Sequence, residues 1–155
     1  MELVFYNETL RTAIESYTLT EEQLQFTISP MEALKLVKKD ADRFPILAME
    51  QEKLVTFFIL HKKGGVKEFS DNPHAILLRS FSTDFHEQGK GFARQSLMQL
   101  PEFMKIHFPE INEIVLCVNS GNAVARRLYE KCGYIDTEER RNGRWGELIV
   151  MSYCL

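Results

Sequence analysis

The chain has 155 residues, 45% of them hydrophobic, which suffices for one substantial core and leaves no room for two ordinary domains, so a single domain spanning 1–155 is expected. Its 19 basic and 22 acidic residues give a net charge of −3, which argues against the basic face that nucleic-acid binding requires. No apolar run approaches the length that spans a bilayer, and the first residues have neither a basic start nor a long apolar region, so no membrane segment or signal peptide is expected.

Cys117, Cys132 and Cys154 allow no full disulfide set, form no C-x-x-C pair and have no histidine at zinc spacing. Buried free thiols, no metal and a cytoplasmic location are therefore expected.

Leu3 to Tyr6 reads as a short first strand, followed by helical segments over about Thr9–Tyr17, Thr20–Phe26 and Pro30–Asp40. Thr20 with Gln23, and Ser29 with Glu32, have the spacing of helix caps, and Pro30 suits a first helical position. Pro45–Met49 and Leu54–His61 read as strands joined by a tight turn at Gln51-Glu52-Lys53, and Lys62–Pro73 reads as a loop containing Gly64-Gly65. His74–Thr83 is the next strand, followed by a helix from about Gly89 to His107 that Pro101 should kink or end. Ile114–Val118 is an apolar strand, Asn122–Lys131 a helix, and Gly133 a left-handed cap. Tyr134–Glu139 and Glu147–Tyr153 should pair across a turn at Asn142-Gly143, with Gly143 at positive φ. This order describes an α/β layered fold with a mostly antiparallel sheet.

The chemistry is concentrated in two stretches. Gln88-Gly89-Lys90-Gly91-Phe92-Ala93 sets a glycine-rich loop directly onto a helix start. Unpaired N–H groups and partial positive charge suit such a start to anions, and glycine lets the main chain approach a diphosphate. Taken alone the loop reads better as an ordinary turn, since neither the P-loop pattern G-x-x-x-x-G-K-S/T nor the dinucleotide pattern G-x-G-x-x-G is present. The second stretch, Val118 to Tyr134, follows about thirty residues on and brings Asn122 and Tyr129 two helical turns apart on one face, about 10 Å in axial rise.

Together the two stretches resemble the GNAT N-acetyltransferase superfamily. Gln88 to Ala93 is similar to its Q/R-x-x-G-x-G/A signature, with Ala93 at the last position. Asn122, Ala125, Leu128, Tyr129, Gly133 and Tyr134 fill its N-x-x-A-x-x-L-Y-x-x-x-G-F/Y element. The resemblance covers about His74 to Tyr134. It implies a mixed, mostly antiparallel sheet of about seven strands with helices on both faces. It also implies that the strands before the two motif helices splay apart to admit the pantetheine arm of acetyl-CoA.

The resemblance further implies that Phe81, Ser82, Thr83, Gln88, Gly89, Lys90, Gly91, Phe92, Ala93 and Asn122 bind acetyl-CoA, and that Tyr129 is the general acid delivering a proton to the departing thiolate. A phenol has an ordinary pKa of about 10 and is neutral at physiological pH, as that role demands. Without the resemblance, Tyr129 reads as a packed aromatic and Asn122 as a helix cap.

An attacking amine must lose a proton, and Asp84, Glu87, Glu21 and Glu22 are the carboxylates placed to help. Leu19 to Pro30 also resembles the start of bacterial spermine/spermidine acetyltransferases, which implies a polyamine or other small primary amine as acceptor. A protein N-terminus or lysine is the alternative acceptor, and a non-catalytic acyl-CoA sensor the alternative function. The end hairpin offers an edge on which a second copy could pair as a homodimer.

Overall fold

The computed structural model describes residues 1–155. Seven strands form one sheet in the order β1-β2-β3-β4-β5-β7-β6. They are β1 (Glu2–Phe5), β2 (Arg43–Glu50), β3 (Lys53–His61), β4 (Ala75–Thr83), β5 (Glu113–Asn119), β6 (Ile135–Gly143) and β7 (Gly146–Cys154). Every neighbouring pair is antiparallel except β4 with β5.

Six helices connect them: α1 (Arg11–Glu15), α2 (Glu21–Leu24), α3 (Pro30–Val37), α4 (Gly64–Lys67), α5 (Phe92–His107) and α6 (Ala123–Lys131). No helix is long and apolar enough to cross a membrane.

Alternation along the strands sorts the core into two layers, because successive side chains leave a strand on opposite faces. On one face Phe58, Leu60, Ile76, Leu78, Ile114 and Leu116 pack against Leu97, Leu100 and Met104 of α5 and Tyr129 of α6. On the other, Leu47, Phe57 and Ile59 meet Ile14 of α1 and Leu34 of α3, while Leu77, Val115 and Val150 meet Val66 of α4. Helices thus cover both faces. From Leu54 onward β3 is buried throughout, which explains why it reads as a nearly continuous apolar run, interrupted by Thr56, rather than an alternation. Each such fully buried side chain contributes about 1.5–3 kcal/mol.

Two irregularities in β4 prepare the site. Phe57 pairs with Ser82 and Ile59 with Arg79, so Ser80 and Phe81 together oppose Phe58, with Ser80 at φ +55°. This bulge bends the end of the strand, a device common beside functional sites. The parallel ladder to β5 runs only from Ala75↔Glu113 to Leu78↔Leu116. Beyond it β4 and β5 separate, leaving the facing edges of Arg79–Thr83 and Cys117–Asn119 unpaired with each other, the splay expected from the resemblance.

Several boundaries differ from expectation. The first helical segment is a 3₁₀ turn, Glu8–Leu10, capped by Asn7, leading into the short α1. α3 ends at Val37 rather than Asp40. The glycine loop after β3 contains α4, and a Cβ at Gly65 would lie 2.2 Å from the His61 ring, so glycine serves close packing there. α5 starts at Phe92 rather than Gly89, and ends at His107 as expected, with Pro101 inside it.

The end hairpin turns at Arg144-Trp145, because Gly143 pairs with Gly146, and the positive φ falls on Gly146 at +117° rather than on Gly143. Cys132 is buried, but Cys117 is half-buried and Cys154 exposed, since each lies near the end of a strand and not in the packed interior.

Candidate active site

Where β4 and β5 part, a cavity of about 660 Å³ opens. Its walls are the end of β4, the loop before α5, the end of β5 and one side of α6. Of the sequence-predicted residues, Phe81, Ser82, Thr83, Gln88, Gly89, Gly91, Phe92, Ala93, Asn122 and Tyr129 all line it.

Lys90 does not line the cavity. Its ammonium lies 2.9 Å from Glu87 Oε2, so its charge is spent on bracing the loop.

The loop is shaped by Gly89 at φ +78° and Gly91 at φ +84°. A Cβ at Gly89 would meet nothing within 4 Å, so the space beside it is open. Gly91 is the N-cap of α5 and has no side chain with which to cap it. The starts of α2, α3 and α6, by contrast, are capped by Thr20, Ser29 and Asn122. The first N–H groups of α5 are therefore left for a ligand, and the helix dipole favours an anion there.

On the opposite wall, Asn122 accepts a hydrogen bond from the Ala125 N–H at 3.3 Å, the cap role read from its residue type. Tyr129 is almost wholly buried, between Phe81 and Tyr134. Burial, with the nearby Cys132 thiol adding to it, pushes its phenol well above the ordinary tyrosine range. The proton therefore stays on oxygen throughout the physiological range.

The four carboxylates separate by position. Asp84 is buried and accepts from the Thr18 and His86 N–H groups at 3.1 and 2.8 Å, tying the end of β4 to the N-terminal segment. Glu87 is held by Lys53 at 2.5 Å and by Lys90, and those hydrogen bonds keep its carboxyl below the usual range, which makes it a poor proton acceptor. Glu21 lies outside the cavity, whereas Glu87 and Glu22 line it, Glu22 alongside Gln23, whose amide donates to the Thr83 carbonyl at 2.8 Å.

Arg79 also lines the cavity and was not singled out from sequence, and Cys117, expected only as a buried free thiol, lines it too. An arginine in the middle of the apolar run Ala75 to Leu78 was the available signal for the first. Burial pushes the Cys117 thiol up to about 11, so it is not a nucleophile at neutral pH.

A mixed sheet opened between its two parallel strands, above an uncapped glycine-rich helix start, defines a class of acyl-transfer fold. The chain matches the Acetyltransferase (GNAT) family over residues 6–134 and belongs to it. It is 36% identical, over 100% of its own length and 98% of the relative's, to a protein of Bacillus subtilis (strain 168) described as Uncharacterized N-acetyltransferase YbbJ.

Among solved structures, aminoglycoside acetyltransferase AAC(6')-Ib in complex with coenzyme A and kanamycin superposes with a TM-score of 0.77. It is 18% identical, and the match covers 98% of this chain and 93% of that one. A chimera of the Vibrio cholerae spermidine N-acetyltransferase SpeG with hSSAT superposes with a TM-score of 0.69 at 22% identity, covering 99% and 96%. At these identities the structural likeness concerns the fold. The family and the curated relative make the chain an N-acetyltransferase.

Proposed function

We propose that this N-acetyltransferase moves the acetyl group of acetyl-CoA onto a small primary amine by direct attack within a ternary complex. One observation carries the reading: the uncapped start of α5, the unpaired edges of β4 and β5, and the protonated Tyr129 all meet in one cavity. The fit to acetyl-CoA is chemical. Free helix N–H groups between Gln88 and Ala93 suit its diphosphate, and unpaired strand edges suit its amide-bearing arm. When bound, the cosubstrate supplies a thioester whose carbonyl accepts the amine.

The chain's own residues do the rest. Backbone N–H groups in the Phe81–Thr83 stretch supply donors where negative charge develops on oxygen. Tyr129 gives its proton to the departing sulfur and is restored by the proton that the acylated amine gives up, and Asn122 shapes the wall beside it. A polyamine acceptor would call for several free carboxylates in the cleft, and of the four candidates only Glu22 and Glu87 line it, Glu87 being already paired with Lys53 and Lys90. The outer edge of β6 carries Glu138, Glu139, Arg140 and Arg141, charges that blunt strand-to-strand pairing, so a homodimer is not part of the proposal.

Calorimetry with acetyl-CoA, followed by a thiol-release screen against small amines, tests the reading. Binding together with amine-dependent thiol release is expected. Absence of acetyl-CoA binding overturns it.

A further inference from the structure

Two arginines line the cleft, exposed Arg94 on α5 and half-buried Arg79 on β4, and neither has an acidic partner. Arg79 projects from β4 on the α1–α4 face, half-buried, where the cleft adjoins a second cavity of about 500 Å³ lined by Asp40, Arg43, His61 and Glu68. Its neighbour Arg43 is paired with Asp40 at 3.4 Å, but Arg79 enters no ion pair. Its one side-chain hydrogen bond runs from Nη1 to His61 Nδ1 at 3.2 Å.

A guanidinium only donates, so His61 Nδ1 must accept, and the ring proton sits on Nε2, donating to Asp40 Oδ2 at 2.9 Å. Burial and the charges of Arg43 and Arg79 lower the His61 pKa, which keeps the ring neutral and able to accept. The close backbone of Gly65 fixes the ring in place. Asp40 and His61 thus orient the guanidinium without neutralising it. Desolvation and Arg43 both oppose the charge on Arg79, while Glu68 and Asp40 favour it only from a distance. A cation held at such cost, its remaining fork unspent and facing a cavity, is arranged for an anion from outside.

We propose that Arg79 receives an anionic group of the acceptor, so that the amine acetylated here also bears a carboxylate or a phosphate. This assignment rests on the cleft being the acetyl-transfer site. It runs opposite to a polyamine acceptor, whose second ammonium would meet Arg79 as a like charge.

Matched acceptors separate the cases: L-alanine, 1-aminoethylphosphonate and ethylamine as one set, L-lysine and cadaverine as another. The anion-bearing members should have the higher kcat/KM, and the better of alanine and the phosphonate identifies the anion. Arg79→Gln should raise KM for those members about tenfold or more. It should move the ethylamine KM far less. Arg79→Lys, which keeps the charge and loses the fork, should fall between, and covers the case in which the Gln variant melts early. Without any turnover, calorimetric titration of N-acetyl-L-alanine into the free protein should weaken about tenfold in Arg79→Gln.

The assignment is overturned if ethylamine and cadaverine match or exceed their partners, if no anion-bearing amine is acetylated, or if both KM and the titration are unmoved in Arg79→Gln. Loss of acetyl-CoA binding by the parent protein would instead overturn the acetyl-transfer reading.

Discussion

The Phe81 ring meets the Tyr129 ring edge-on, with centroids 6.0 Å apart and planes inclined at 68°. One ring comes from the free end of β4 and the other from α6, so the contact ties the two walls of the cleft together. It also keeps the phenol in apolar surroundings, which is why its proton is retained.

Tyr129→Phe preserves this contact and removes only the hydroxyl. Acetyl-CoA affinity and melting temperature should hardly change, while turnover falls about 10²-fold or more, the usual worth of a positioned acid. Single-turnover kinetics is the decisive measurement, and a parent-like rate in the variant would remove Tyr129 from the chemistry.

Gly89 and Gly91 offer a second test, since both sit at positive φ with space around them. Valine at either position gains no clash but pays backbone strain of about 1–3 kcal/mol and crowds the uncapped helix start. Both variants should still fold with a lowered melting temperature, and calorimetry should show strongly weakened acetyl-CoA binding. Unchanged affinity in both would move the diphosphate elsewhere.

At the end hairpin two glycines are needed for different reasons. A Cβ at Gly143 would lie 2.8 Å from Leu148 Cγ and 3.0 Å from the Gly146 carbonyl, whereas Gly146 is constrained by its φ of +117°. Gly143→Ala and Gly146→Ala should both destabilise. Leu148→Ala should partly rescue the first and leave the second as it is, which a double-mutant cycle of chemical melts would measure. Equal rescue of both would mean that the turn lies elsewhere.

Asp136 gives the protein one identifiable acid-sensitive contact. Arg140, the Glu138 N–H and Arg126 hold its carboxyl down from 3.8 to about 2. A carboxyl depressed by folding stabilises the native state above its unfolded value and loses that contribution as pH falls through the folded one. Asp136→Asn should therefore be less stable than the parent at neutral pH, by up to about 1 kcal/mol for a partly exposed pair. The gap should close as pH drops from 3.8 to about 2, as followed by urea melts. A gap that persists at the lowest pH would assign the effect to packing.

The wall of the cleft proposed here for acetyl-CoA was legible because its determinants are local. Glycines, a cap and a tyrosine two turns along one helix all lie within short windows of sequence. The splay was expected only because the resemblance to the family implies it.

The wall proposed for the acceptor was not legible. Arg79 depends on His61 at a separation of 18 residues, and His61 on Asp40 at 21, while the bulge at Ser80 that bends the strand beyond Arg79 leaves no periodic trace. Turn chemistry misled at Asn142-Gly143, because register there follows Leu148 and Gly146 rather than the dipeptide. Gly64-Gly65 read as a loop because their fit against His61 is a tertiary contact.

Mechanically the sheet is two panels, β1 to β4 and β5-β7-β6, stitched by four residue pairs. A load across the sheet concentrates on that short seam, whose last stitch is Leu78 against Leu116. A guest lying in the split and gripping both edges would splint the panels, and its departure would leave them free to twist about those two leucines.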